Sequence, residues 1–359
     1  MINYNDEFVL HIDLNNILMT SYNRFIDETT ENLLKKIYVI FGTNTKTVDY
    51  GGPTREFLTK LAKEIFNVKY GLFEISKNMT YQPSKVSYIQ NDYLKHFRFA
   101  GIFVARALIE GQCIDAHLTT SFLKQILHLK PSLKDLEDFD EQLFNSLNWM
   151  LNNDVDSLDM YFEIGFEEFG VHKTIPLIEN GSQIKVTNEN KKEFIELNSQ
   201  FFKKKIEDQV KAFCDGFDSL IPHEKINYFA PKELDLLICG VTDIDVEDFI
   251  ENTVFETPLS QYSPIVKMFF NVIRSWDNEK LSKLLYFMTG SPKVPANGFK
   301  EFVQITGFPL KIEAGGDENA LPQAHTCFNT IDLPSYRSEK ELNDKLLYAI
   351  QECNTFELL

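Results

Sequence analysis

Tryptophan is scarce in this chain, with 2 in 359 residues, so its aromatic weight falls on 31 Phe and 14 Tyr and predicts a ring-rich interior. Positive charge is also short. Lys and Arg number 36 against 53 Asp and Glu, for a net charge of −17. That balance argues against a nucleic-acid binder, which needs clustered cations facing phosphates. It argues equally against docking on anionic membrane surfaces. An acidic surface can steer a basic protein partner, and it can equally serve only solubility. Cysteine is limited to Cys113, Cys214, Cys239, Cys327 and Cys353, an odd number at wide spacing with no C-x-x-C. No disulfide framework is expected, which points to a reducing compartment, the cytoplasm or the nucleus. The seven histidines form no H-E-x-x-H and no Cys/His pair at zinc spacing, so no metal site or other cofactor is expected. No apolar run approaches the roughly 20 residues of a membrane span. The opening MINYNDEFVLHIDL lacks the basic and apolar regions of a signal peptide.

Helical spacing dominates what is present. Gly52-Pro53 opens a run in which Phe57, Leu58, Leu61, Ala62, Ile65 and Phe66 recur on one face. Further helices are predicted over 91–110, 120–127, 140–152, 190–217 and 231–239, the last closed by Gly240. Asn180-Gly181 within 175–186 predicts a β-hairpin. An acidic stretch, DIDVEDFIENTVFET, reads as the approach to a linker, with a hinge at Asn252, Thr253, Val254, Phe255 and Glu256. Beyond it two helices are followed by strand-like pieces at 302–306, 310–314 and 326–333. A last helix opens with the capping box Ser338-x-x-Glu341. Helical first and mixed second, the chain reads as a two-lobed α+β fold.

Four cysteines sit among apolar or helical residues and read as small buried hydrophobes. Cys327 differs. It lies in LPQAHTCFNTIDLP, with His325 two residues earlier, on the same face if the chain is extended. An imidazole can stabilise a thiolate, but a Cys–His pair in a strand also serves packing, and spacing leaves both readings open. A papain-like arrangement requires a downstream His, and His325 is the last histidine. The caspase-type Q-A-C-x-G is absent. A thiol without a triad suits transthiolation, because the attacked thioester already carries a good leaving group.

LPQAHTCFNTIDLPSY closely resembles the active-site stretch of the HECT ubiquitin ligases. The resemblance covers nearly the whole chain. DYGGPTREFLTKLAKEIFNVKYGLF is similar to the family's D-x-G-G-x-x-R-E-F segment, and HFRFAGIFVARALIEGQCID to its F-x-F-x-G helix. VTNENKKEFI, FCDGF, ELDLLICG and FMTGSPKVPANGF follow in the family's order, and LLYAIQEC is most similar to its large Mule-like members. The resemblance implies a mainly helical N-lobe over 1–250, a flexible hinge over 251–256 and a smaller α/β C-lobe over 257–359. It implies partners too: a ubiquitin-conjugating enzyme, ubiquitin and protein substrates, with neither nucleic acid nor membrane.

Carried over position by position, Cys327 would accept ubiquitin as a thioester, with His325 and Thr326 shaping its loop. Phe356 would act in lysine transfer, and Asp332 would orient or deprotonate the incoming lysine. The docking subdomain would span about 120–185, with Leu143, Leu147, Met150 and Met160 lining a groove for the conjugating enzyme. Ala320 stands where the family often has Arg, which leaves open a catalytically degenerate HECT-like binding module. A cysteine hydrolase of ubiquitin conjugates is a third reading, weakened by the missing downstream His.

Overall fold

The computed structural model describes residues 7–42, 52–168, 171–241 and 243–355. Two parallel strands, β1 (Glu7–Ile12) and β2 (Lys36–Phe41), pair with Glu7 opposite Lys36. Helix α1 (Gly52–Ile65) has Pro53 in its first turn, where a missing N–H costs nothing. Its apolar stripe buries Phe57, Leu58, Leu61, Ala62 and Ile65 in the largest of three cores. Helix α2 (Tyr93–Ile109) runs through the middle of that core.

A smaller satellite core follows, built on α3 (Glu141–Asn152) and α4 (Lys191–Lys204), and between these helices run the antiparallel strands β3 (Glu163–Glu168) and β4 (Val171–Pro176). The chain then returns through α5 (Glu207–Asp218), which crosses α2 at close range. Cβ atoms on Gly101 and Gly216 would fall 1.9 Å from Phe213 O and 2.0 Å from Arg98 O, so only glycine permits this approach. Helix α6 (Pro231–Cys239) supplies the last residue of the larger core, Cys239.

The second core begins at Ile244. It lies between helices and a four-stranded sheet. Around that sheet are α7 (Val246–Glu251), α8 (Pro264–Arg274), α9 (Asn278–Thr289), α10 (Gly298–Thr306) and α11 (Glu339–Thr355). The strands are β5 (Thr253–Phe255), β6 (Leu310–Ala314), β7 (Gln323–His325) and β8 (Thr330–Leu333), in the order β5-β6-β8-β7. β5 and β8 run parallel to β6, and β7 is antiparallel to β8. This is the two-lobed α+β fold expected. Among the described residues no helix is long and apolar enough to cross a membrane.

Several local expectations are corrected. Residues 302–306 end α10 and are not a strand, because Phe299 and Phe302, three apart, both reach the core. Asn180-Gly181 opens a single 3₁₀ turn over Gly181–Gln183, and the hairpin lies earlier, in β3 and β4. The long helix over 190–217 is two helices, α4 and α5, with a break at 205–206. The segment 252–256, expected as the hinge, carries regular structure. Thr253–Phe255 form β5, Glu256 N donates to Ile312 O at 3.0 Å, and the Asn252 side chain donates to Asp248. The crossing between cores falls earlier, between Cys239 and Ile244.

Candidate active site at the lobe interface

Cys327 sits in a 3₁₀ turn, Thr326–Phe328, between β7 and β8. The turn ends at Asn329 with φ +52°, a left-handed conformation that Asn tolerates better than most residues. The stretch 326–333 is therefore not one strand, and His325 and Cys327 do not alternate along an extended chain. Cys327 is half-buried, whereas Cys113, Cys214 and Cys239 are buried. Burial pushes the thiols of Cys113 and Cys214 up to about 12, and that of Cys239 upward as well, which leaves them poor nucleophiles. The Cys353 side chain and Phe356 lie outside the described residues.

His325 points to the partner hairpin strand. Its Nε2 lies 3.1 Å from Asp332 Oδ2. The His325 side chain is half exposed, while Asp332 is mostly covered and its Oδ1 is buried without a hydrogen-bond partner.

The larger lobe completes this surroundings. The first turn of α1 abuts the Cys327 turn so tightly that a Cβ on Gly52 would lie 2.8 Å from Cys327 N and 2.9 Å from both Cys327 Sγ and Thr326 Oγ1. One turn along α1, Arg55 is 8% exposed and reaches across the interface. Its Nε donates to Thr289 O at 2.8 Å, and its Nη2 to Thr326 O at 2.5 Å and Asn329 Oδ1 at 2.9 Å. Thr59 Oγ1 adds a bond to Gly290 O at 3.2 Å. Asn329 is fully buried, and its Nδ2 donates to Phe308 O at 2.8 Å and Thr306 Oγ1 at 3.1 Å. It thus joins the cysteine turn both to its own lobe and to Arg55. Sequence reasoning assigned neither residue a role. Arg55 was visible only as part of a motif, and Asn329 only as an Asn following Cys-Phe, a usable sign of a left-handed turn.

The groove residues divide. An open apolar groove of about 420 Å3 is lined by Asn145, Ser146, Trp149, Met150, Leu158 and Met160. Met150 and Met160 border it, although Met150 is also 4% exposed and belongs to the satellite core. Leu147 does not: it is 2% exposed and fills the satellite core on the inner face of α3. Leu143 also packs against that core. Trp149, half exposed one residue before Met150, supplies the exposed ring that the i, i+4 pattern passed over. At Ala320, where an Arg was expected, the backbone carbonyl accepts the Tyr336 hydroxyl at 2.7 Å.

Residues 59–359 match the sequence profile described as HECT-domain (ubiquitin-transferase). The chain is 40% identical over 344 residues to the E3 ubiquitin-protein ligase pub1 of Schizosaccharomyces pombe, which covers 94% of this chain and 44% of pub1. It is 39% identical over 344 residues to the E3 ubiquitin-protein ligase RSP5 of Emericella nidulans and to a probable E3 ubiquitin-protein ligase hulA of Aspergillus fumigatus, each match covering 94% of this chain and 42% of the relative. The chain therefore spans less than half the length of these relatives. With a matching profile over most of its residues, a two-lobed fold and a half-buried cysteine at the interface between the lobes, the chain belongs to the HECT-domain family.

Proposed function

We propose that this chain is a ubiquitin transferase in which Cys327 carries ubiquitin as a thioester between a conjugating enzyme and a substrate lysine. One observation carries the reading. In a chain of this family, Cys327 is the described cysteine that is not buried, and it lies on a turn held by both lobes. In the first step the Cys327 thiolate attacks the carbonyl of the conjugating enzyme's thioester, and the conjugating enzyme's thiolate leaves. In the second, a lysine amine attacks the new thioester, the Cys327 thiolate leaves, and the amine's proton passes to a base. Asp332, a carboxylate on the strand that leaves the Cys327 turn and beside His325, is suited to bind the lysine ammonium and take that proton. The groove beside α3, with Trp149, Met150 and Met160, is suited to an apolar loop of the conjugating enzyme. The acting location is the cytoplasm or the nucleus, consistent with free cysteines.

The test is incubation with ubiquitin-charged conjugating enzyme. A reductant-sensitive adduct is expected, and Cys327→Ala abolishes it. An adduct that persists in Cys327→Ala, or robust docking with no adduct at any enzyme concentration, overturns the reading.

A further inference from the structure

Among the described residues, three side chains able to hold a metal ion converge outside the cysteine turn: His117, Asp235 and Cys239. One donor atom from each lies within 4.8 Å of the other two. Asp235 and Cys239 are four residues apart on α6, so both side chains project from the same side of that helix. His117 reaches them from the loop that follows α2. The Asp235 carboxylate joins the other two, with Oδ2 2.9 Å from His117 Nδ1 and Oδ1 3.7 Å from Cys239 Sγ. Tetrahedral zinc, with bonds of about 2.0–2.3 Å, sets neighbouring donors ~3.3–3.6 Å apart. Both contacts through Asp235 already lie within about half an ångström of that spacing.

Backbone bonds fix the loop to its surroundings without any ion. Ile114 N donates to Ile238 O at 2.9 Å, and Tyr81 N donates to His117 O at 2.7 Å. The Ala116 N–H bonds the Cys239 sulfur, which favours the thiolate. Burial works the other way and raises the thiol's pKa, so without a cation the sulfur keeps its proton. A coordinated cation drives that proton off to solvent, because a ligating thiol deprotonates outright. Carboxylate and thiolate together then balance the charge of a divalent ion. The neighbouring Lys293 is itself paired with Asp115 at 2.8 Å, which offsets its repulsion of a cation. An open pocket of about 700 Å3, lined in part by His117, Asp235 and Asp243, gives the ion a way in.

We propose that His117, Asp235 and Cys239 form a zinc site that fastens α6 to the loop after α2. The mixed set of imidazole, carboxylate and thiolate favours zinc over magnesium and calcium, which take oxygen ligands. Three protein ligands leave a fourth position for water. Spacing along the chain led to the expectation of no metal site, because His117 stands 118 residues before Asp235 and only folding brings them together. The proposal does not depend on the ubiquitin-transfer reading.

Cobalt is the spectroscopic probe and zinc its competitor. The full chain is stripped with a chelator, kept reduced with a phosphine and titrated with cobalt at neutral pH. One equivalent is expected to give a thiolate-to-cobalt charge-transfer band and the visible absorption of tetrahedral cobalt, both displaced by zinc. His117→Gln should weaken cobalt binding by about a hundredfold or more, since a ligand matters at least as much as the groups that orient it. Cys239→Ala should abolish the charge-transfer band, and Cys327→Ala should leave it in place. No band in the unsubstituted chain, a band that survives in Cys239→Ala or disappears in Cys327→Ala, or unchanged affinity in His117→Gln overturns the site. Because Cys239 is buried in the core, Cys239→Ala is also checked for a cooperative thermal transition. If it does not fold, His117→Gln decides: zinc should raise the thermal midpoint of the unsubstituted chain and not that of His117→Gln, and an equal rise in both overturns the proposal.

Discussion

His325 and Asp332 face each other across the β7–β8 hairpin, Nε2 3.1 Å from Oδ2, on the two strands that flank the Cys327 turn. The imidazole uses one carboxylate oxygen and leaves the other, buried Oδ1, without a partner. A lysine amine is mostly protonated at neutral pH, since its unperturbed pKa is about 10.4, and it must lose that proton to attack. Asp332→Asn keeps the shape and the contact to His325 but removes the charge that would hold the ammonium. Discharge of charged Cys327 onto free lysine is expected to slow on the order of a hundredfold, a usual contribution for a positioned base. Single-turnover discharge measures it, and discharge within about twofold of the unsubstituted chain would remove Asp332 from this role.

The groove beside α3 separates two adjacent kinds of residue. Trp149 is 49% exposed and lines the groove, so Trp149→Ala should weaken binding of the conjugating enzyme by about tenfold or more with little effect on folding. Leu147 is 2% exposed in the satellite core, and Leu147→Asp should cost about 3–5 kcal/mol by putting an unpaired carboxylate there. Binding by fluorescence anisotropy alongside urea unfolding distinguishes them. Equal loss of affinity and stability in Trp149→Ala would place that ring in the core instead.

His117 offers a titratable contact away from the cysteine. Its Nδ1 lies 2.9 Å from Asp235 Oδ2. That hydrogen bond raises the imidazole pKa above its ordinary 6.5, against the opposing effect of burial. Asp115 adds to the rise, and Lys293 works against it. A folded-state pKa above the unfolded one means the folded protein binds the proton more tightly. The stabilisation is fully present below about 6.5 and is lost as pH rises through the raised value. His117→Gln removes the titration, so the stability advantage of the unsubstituted chain should shrink from pH 6 upward. Urea midpoints for both proteins across that range would show it, and a pH-independent difference would dismiss the contact as a proton-linked one.

Much of this architecture was legible because helices announce themselves at i, i+3 and i+4. The helix expected from Gly52 ends at Ile65, and those expected over 140–152 and 231–239 fall within a residue of α3 and α6. The misreadings have local causes. Phe302 begins an apolar run that suits a strand, but Phe299 one turn earlier fixes it as helix. The strand drawn through Cys327 is interrupted because Asn329 turns left-handed, which apolar patterning does not register. The larger gap is the interface between the lobes. Arg55 and Thr326 stand 271 residues apart, and nothing periodic in either segment reports that they meet. The cysteine could be singled out from its neighbours in sequence; the helix that seats it could not.

The segment 252–256 provides the sharpest contrast between the two readings. A mobile linker would accept proline at Glu256, since proline only narrows backbone freedom where no N–H is engaged. In the structure Glu256 N donates to Ile312 O at 3.0 Å, extending the parallel pairing of β5 with β6 at the edge of the smaller lobe's sheet. Glu256→Pro deletes that donor and leaves the carbonyl unmatched, which should lower stability by about 1–3 kcal/mol. Gly240 lies where the chain passes between the cores, with φ +70° and its Cα so near Val294 that an added Cβ would stand 2.2 Å from the carbonyl oxygen. Gly240→Ala is therefore expected to disturb the crossing itself, shifting Val241 from its bond to Val294 O. Hydrogen exchange resolves the two. Glu256→Pro should speed exchange within β6, and Gly240→Ala should speed it at Val241. If Glu256→Pro instead leaves both exchange and stability unchanged, residues 252–256 are the linker after all, and the crossing at Gly240 is rigid.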